Sequence, residues 1–264
     1  MPEGDNIHAL AARLHAALAG QTLRRTDFRV PTLATADLSG QTVSGAVARG
    51  KHLLVRTDGG LTIYSHLEMD GSWELFAPGR PWRPPAFEIR VVLETDLWTA
   101  VGYRLPVLEI LSTEDEPGRL AHLGPDVLGP DWDPAEALRR LGRDPAREIG
   151  VALIDQRVMA GPGNVYKCEA LFLRGVHPGT PVGAVDDLGA LVGLVKRLME
   201  ANRDRPARVT TGDTRPGRRV WVYGRAGRPC RRCGTPIRTI RQGDSPAERV
   251  TYLCPSCQPE PASA

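Results

Sequence analysis

The sequence predicts an α+β chain of more than one domain, with a strand-rich first half behind a leading helix, a helical stretch, and a metal-stapled hairpin near the end. Three observations carry that expectation. Short apolar runs broken by turn residues fill the stretch from Thr22 to Glu94. From Asp133 onward the apolar spacing changes to that of helices. Four cysteines then stand as two Cys-x2-Cys pairs, Cys230/Cys233 and Cys254/Cys257.

The elements follow in order. Ile7, Leu10, Ala11, Leu14, Ala17 and Leu18 recur at helical spacing and stop at Gly20. Strands are expected at Thr22–Val30, His52–Arg56, Leu61–His66, Ser72–Phe76 and Phe87–Glu94, with Gly59-Gly60 and Pro84-Pro85 as breaks. Strands at that density point to a sandwich or a barrel, closing near Leu123-Gly124-Pro125. Ile149, Leu153 and Ile154 mark one helix, and Val165 to Leu173 a second. Asp186 is the expected cap of a third, whose stripe is Leu188, Leu191, Val192, Val195, Leu198 and Met199. Asn202–Arg219 reads as an exposed basic loop, and a short disordered tail is expected from Pro259 to Ala264.

The chain has 264 residues, 41% hydrophobic and 25% charged, which excludes a mainly disordered polymer. No run approaches the roughly 20 apolar residues of a bilayer span, so no membrane partner is expected. The opening MPEGDNIHALAARLHAALAG places Glu3 and Asp5 before any basic residue and lacks an apolar signal core, so no export is expected. The formal charge of +3 conceals an uneven distribution. Residues 201–257 carry 13 arginines against four acids, a net of +9, and the remainder is net −6. A basic end on a mildly acidic body suits a polyanion. Only Lys51, Lys167 and Lys196 are lysines among the 34 basic residues.

The paired cysteines put two thiolates on each of two tight turns, the pattern of a tetrahedral zinc site. Two disulfides would need an oxidising compartment. Four protein thiolates leave no open position for water, so one structural Zn2+ is expected. It would stiffen the most basic part of the chain, where Arg218, Arg219, Arg225, Arg228, Arg231, Arg232, Arg238, Arg241 and Arg249 lie. Phosphate contact is the economical reading of that arrangement. Cys168, inside an apolar helix, reads as packing.

Six segments in register then resemble the formamidopyrimidine-DNA glycosylase and endonuclease VIII family. They are Pro2-Glu3-Gly4, Arg49-Gly50-Lys51-His52-Leu53-Leu54, Tyr64-Ser65-His66 leading to Gly71-Ser72-Trp73, Gly124-Pro125-Asp126-Val127-Leu128, Asp155-Gln156 through Ala160-Gly161-Pro162-Gly163-Asn164, and the cysteine hairpin with Arg249. The resemblance implies an N-terminal catalytic β-sandwich over 1–124 and a helical DNA-binding domain with a helix–two-turns–helix motif over 125–224. A zinc-ribbon finger over 225–258 and the tail 259–264 complete it. It also implies a bifunctional DNA glycosylase and abasic-site lyase of base excision repair, acting on damaged double-stranded DNA. A monomer suits a clamp around one duplex, and the implied setting is bacterial cytoplasm and nucleoid.

The chemistry of the residues fits. If Met1 is removed, as the small neighbour Pro2 permits, the chain starts with a secondary amine of pKa roughly 8, against about 10.4 for lysine. Such an amine attacks the sugar C1′, and the resulting iminium acidifies the neighbouring C–H and permits strand cleavage. The resemblance makes Pro2 the nucleophile and Glu3 its proton shuttle. The resemblance also gives Lys51 a part in proton transfer and phosphate contact, a task for a group that can give up its proton as arginine cannot. Asn164 and His66 are implied DNA contacts, with Asn164 also an expected helix cap. By the same resemblance, Arg249 would grip phosphates around the flipped nucleotide and assist the second elimination. His122 stands where endonuclease VIII has a DNA-contacting arginine. Met69 occupies the position of the wedge that fills the space left by the extruded base.

Asp5 and Asn6 replace the usual Pro-Glu of the family. The Asp-Pro-Arg-Arg-Phe-Gly stretch of the formamidopyrimidine branch is absent, with Thr99-Ala100-Val101-Gly102-Tyr103 in that region. The resemblance therefore leans to the endonuclease VIII branch, an actinobacterial-like subgroup of it, and to oxidised pyrimidines. The alternatives are a non-catalytic damaged-DNA binder on the same scaffold and a zinc-ribbon transcription factor, which poorly explains the strands.

Overall fold

The leading helix α1 (Gly4–Leu18) forms because apolar residues recur on one face, and Ile7, Ala11, Leu14, Ala17 and Leu18 are buried along it. Asn6 accepts a hydrogen bond from the Glu3 N–H at 3.3 Å, tying down the first turn, and Gly20 turns the chain away with φ +75°. A computed structural model describes residues 2–82, 85–243 and 248–261. Met1, Pro84 of the expected Pro84-Pro85 break, and 262–264 of the expected tail lie outside the described residues. The described residues form two compact units that divide between His122 and Leu123.

In the first unit eight strands follow α1: β1 (Arg25–Phe28), β2 (Val43–Arg49), β3 (His52–Thr57), β4 (Leu61–His66), β5 (Ser72–Phe76), β6 (Ile89–Glu94), β7 (Thr99–Tyr103) and β8 (Val107–Ser112). They make two antiparallel sheets, β1-β6-β7-β5 and β2-β3-β4-β8. Alternation puts one face of each sheet inward. Phe28, Trp73, Val91, Leu93 and Ala100 of the first share one core with Val43, Ala46, Leu53, Val55 and Ile63 of the second, and α1 closes it. The fold of this unit is thus a sandwich rather than a barrel. Burying each large aliphatic here contributes about 1.5–3 kcal/mol.

Three further strands, β2, β7 and β8, were not singled out in the sequence. A register shift between Val43 and Gly45 interrupts the alternation of β2, and β7 carries Gly102. A Cβ at Gly102 would sit 2.6 Å from Leu105 Cδ1 and 2.7 Å from Val91 Cγ1, so only glycine lets those layers close. β8 pairs with β4 along its whole length. Two expected strands shorten: 22–30 to β1, and Phe87 falls in a single 3-10 turn at Ala86–Glu88, mostly exposed.

A short helix, α2 (Glu116–Leu120), lies over the outer face of the second sheet. Glu116 receives Arg56 at 2.6 Å and the Thr62 hydroxyl at 2.5 Å, which satisfies an otherwise costly buried carboxylate.

The second unit holds α3 (Pro134–Leu141), α4 (Ile149–Ala152), α5 (Asn164–Arg174) and α6 (Leu188–Glu200), then the hairpin β9 (Arg238–Gln242) and β10 (Arg249–Leu253). Asp133 caps α3 through Ala135 and Glu136 N–H. α6 is capped by Asp187, whose Oδ1 accepts from Ala190 N–H at 2.8 Å, and not by Asp186. The cap must reach the third helical N–H, which fixes it to the residue directly before Leu188. α4 is a single turn that ends before Leu153 and Ile154. The loop 202–219 is only partly exposed: Asn202, Val209 and Thr210 are buried, and Asn202 Nδ2 binds Leu198 O at 2.7 Å and Val209 O at 2.9 Å.

Candidate active site and metal centre

The N-terminal unit positions its chemistry at three places. At the start of α1, Pro2 is half-buried and Glu3 is fully buried as the cap residue. The replacements at positions 5 and 6 have defined places here: Asp5 is buried, and exposed Asn6 makes the Glu3 contact. At the tip of the β2–β3 hairpin, Arg49 pairs with His52 across a two-residue turn, Gly50-Lys51. Gly50 has φ +58°, the glycine-first geometry that matches the twist of a two-residue hairpin, so Lys51 stands at an apex. Between β4 and β5 the turn is tight. Glu68 has φ +47°, and a Cβ on Gly71 would meet Leu67 O at 2.7 Å. Met69 at its crest is 58% exposed, so it is not a core methionine.

Beside Lys51, three imidazoles gather on the outer face of the second sheet. His52 and His66 are register partners with ring centroids 4.8 Å apart, and His122 meets His52 edge-on at 6.0 Å. Tyr64 Oη and His52 Nδ1 are 2.6 Å apart. The Arg119 guanidinium lies 4.6 Å over the Tyr64 ring and is held by both carboxylate oxygens of Glu109. Burial, then the neighbouring His66, His122, Arg119 and Lys51, push the His52 pKa down to about 3. Burial and Lys51 also lower that of His66. His52 and Tyr64 were not singled out in the sequence as site residues in their own right.

In the second unit, Gly124 N–H binds Gln156 O, and a Cβ on Gly124 would meet Val158 O at 2.4 Å. Gln156 then braces the turn before α5: its Nε2 donates to Pro162 O at 2.9 Å and its Oε1 accepts from Gly161 N–H at 2.9 Å. Gly161 needs its φ of +109° there. Asn164 is the first residue of α5 rather than its cap, which is Gly163. Its side chain instead crosses to the hairpin, Nδ2 to Val250 O at 2.7 Å. Arg249 borders a cavity of about 290 Å3 with Lys167, Arg147, Arg157, Asp155 and Gln242. Burial opposes the Asp155 charge, but hydrogen bonds from Arg157 and Arg147 hold its carboxyl well below the usual range.

The sulfurs of Cys230, Cys233, Cys254 and Cys257 all lie within 4.8 Å of one another, and none is in a disulfide. Cys230–Cys257 is 4.0 Å and Cys233–Cys254 is 3.5 Å. Four thiolates 2.3 Å from a tetrahedral ion would be separated by about 3.8 Å, so the set fits one structural zinc. Cys168 is buried against the same cluster and accepts from Tyr252 N–H at 3.4 Å.

A β-sandwich led by a helix with an N-terminal Pro-Glu, a helical unit and a four-cysteine hairpin define a class of DNA-repair protein. Residues 1–104 match the formamidopyrimidine-DNA glycosylase N-terminal domain, 123–202 its H2TH domain, and 227–259 the zinc finger found in FPG and IleRS. The chain is 58% identical to a probable endonuclease 8 2 of Streptomyces coelicolor, covering 99% of this chain and 95% of that one. It is 50% identical to a DNA-(apurinic or apyrimidinic site) lyase of Mycolicibacterium smegmatis, covering 98% and 99%. The formamidopyrimidine-DNA glycosylase of Lactococcus lactis, solved with abasic-site DNA, shares the fold at a TM-score of 0.83 and 22% identity, covering 98% of this chain and all of that one. The chain belongs to the formamidopyrimidine-DNA glycosylase and endonuclease 8 family of DNA-binding base-excision-repair enzymes.

Proposed function

We propose that the protein excises oxidised pyrimidines from double-stranded DNA through a Schiff base with Pro2 and then cleaves the strand by β,δ-elimination. The observation that carries this is the start of α1, where a half-buried Pro2 precedes a fully buried Glu3 held as helix cap. Helix formation thereby orients the first two residues, which in most chains fray. The Pro2 nitrogen attacks C1′ as the base leaves with a proton, Glu3 moves protons to and from the opening sugar, and the iminium acidifies the C2′–H, whose proton passes to a carboxylate or amine base so that the 3′ phosphate departs. Loss of the 5′ phosphate follows, assisted by Arg249.

Lys51, at its hairpin apex with His66 and His122 close to the same His52 ring, serves phosphate contact and proton transfer. Asn164 and Arg249 belong to the DNA grip of the second unit. Exposed Met69 on a rigid turn is suited to fill the gap left by an extruded base. The pyrimidine preference is supported by relatives named endonuclease 8. It is also supported by β7, where residues 99–103 form a buried strand, only Arg104-Leu105-Pro106 separating it from β8. The working form is a monomer in the bacterial cytoplasm, at the nucleoid; among the described residues no helix is long and apolar enough to cross a membrane.

Borohydride reduction in the presence of abasic-site duplex tests the reading. Protein whose N-terminus sequences as proline should give a covalent protein–DNA adduct, lost in Pro2→Gly and after an N-terminal extension. Absence of the adduct from such protein would leave a non-catalytic DNA binder.

A further inference from the structure

We propose that Lys167 is a positioning residue that, with Thr251, holds the Arg249 end of β10, and so Arg249, in register with helix α5. The inference rests on the reading of Arg249 given above. Zinc secures only the base of the hairpin: Cys254 directly follows β10, and Cys233 precedes β9. Arg249 pairs with Gln242 at the opposite end of the ladder. Four residue steps along β10 put that end about 13 Å from the zinc-bound base, and a two-stranded ribbon held at one end is marginal.

The far end is held from α5. Asn164, Lys167 and Cys168 lie at i, i+3 and i+4, one face of the first turn. They meet three consecutive residues of β10: Asn164 Nδ2 donates to Val250 O at 2.7 Å, Lys167 Nζ to Thr251 Oγ1 at 2.5 Å, and Tyr252 N–H to Cys168 Sγ at 3.4 Å. Lys167 is 1% and Thr251 0% exposed, so this bond forms away from competing water. A buried ammonium is costly unless it is bonded, so a slip of β10 along α5 would strip Lys167 of this partner. On the other strand Gln242 Nε2 binds Glu148 Oε2 at 2.8 Å and Pro178 O at 3.1 Å. Lys167 and Arg249 line the same cavity, and the lysine acts on the arginine through Thr251, two residues along β10 from Arg249.

The full-length protein carrying Lys167→Met, Thr251→Val, Thr251→Ser or Arg249→Ala is tested on abasic-site duplex. Lys167→Met and Thr251→Val should weaken duplex binding about tenfold. They should also shift products from β,δ- toward β-elimination, as Arg249→Ala should, with zinc content unchanged. Thr251→Ser should restore both, and Lys167→Met added to Arg249→Ala should add no further loss. Hydrogen exchange at the amides of 250–252 should quicken in Lys167→Met while amides next to the cysteines keep their protection. Unchanged exchange at 250–252 would overturn the positioning role whatever Arg249 does. Unchanged products in Arg249→Ala, with quickened exchange in Lys167→Met, would overturn the role of Arg249 and leave the tether standing.

Discussion

At the scale of single residues, the face beside Lys51 is organised by a neutral imidazole. His52 is buried and faces His66, His122, Arg119 and Lys51, with Glu109 paired to Arg119, so protonating it would desolvate a new charge beside other basic groups. The sign of the pH effect follows. The unfolded chain takes up the His52 proton near pH 6.5, whereas the folded protein resists until about pH 3. Stability is therefore lost as pH falls below 6.5, by up to about 1.4 kcal/mol per pH unit from this group alone. His52→Gln should flatten the dependence of the urea midpoint between pH 6.5 and 4.5; an unchanged slope would mean that His52 is not the cause. Lys51→Arg keeps the charge at the hairpin apex but not the labile proton. It should retain most DNA affinity while lowering the excision rate at least tenfold in single-turnover assays.

At the scale of elements, helix α5 organises the second unit. Asn164, Lys167 and Cys168 hold β10, and directly after Cys168 the fully buried Glu169 accepts the backbone N–H groups of Trp221, Val222 and Tyr223 at 2.7, 2.9 and 2.9 Å. The Thr210 hydroxyl donates to the same carboxylate. Glu169→Ala would leave three amides unbonded in a dry site, at a cost of about 3 kcal/mol or more. The thermal midpoint should drop accordingly, and Thr210→Val should drop it less. The zinc hairpin is the second organising element. Chelation should release the base of β9 and β10 and abolish tight DNA binding; tight binding by metal-free protein would remove the hairpin from the DNA grip.

At the scale of the whole molecule, the +3 formal charge is a poor guide, because +9 of it resides in residues 201–257 and −6 elsewhere. Not all of the 13 arginines of that segment face outward to a ligand: Arg225 is buried and donates to Trp221 O and Pro229 O, and Arg215 is paired with Asp213. The affinity for duplex should fall steeply with salt, with log K against log salt losing about 0.9 of slope for each phosphate contact removed. Removing Arg249 should lower that slope by about one such step, whereas removing the paired Arg215 should leave it nearly unchanged.

Local signals made much of the protein legible. The apolar spacing of residues 7–18, the Cys-x2-Cys pairs and the Gly-Pro-Gly turn before Asn164 each state a conformation within a few residues. So α1 and the four-cysteine centre stand as expected from them, and α5 starts one residue earlier than its apolar run, at Asn164. The same rarity of lysine that drew notice to Lys51 applied equally to Lys167, yet nothing local said that its ammonium meets Thr251, 84 residues onward. His52 and Tyr64 escaped for a similar reason, since their contact exists only once β3 and β4 pair. Strands β2 and β7 hid behind glycines and a bulge that make sense only against their neighbours, and β8 is defined by its pairing with β4. Sequence determined which residues could do the chemistry and where helices and metal turns begin. Which side chains are buried, and therefore which polar groups must find a partner, was decided by tertiary packing, because desolvation is a property of the assembled core and not of neighbours in the chain.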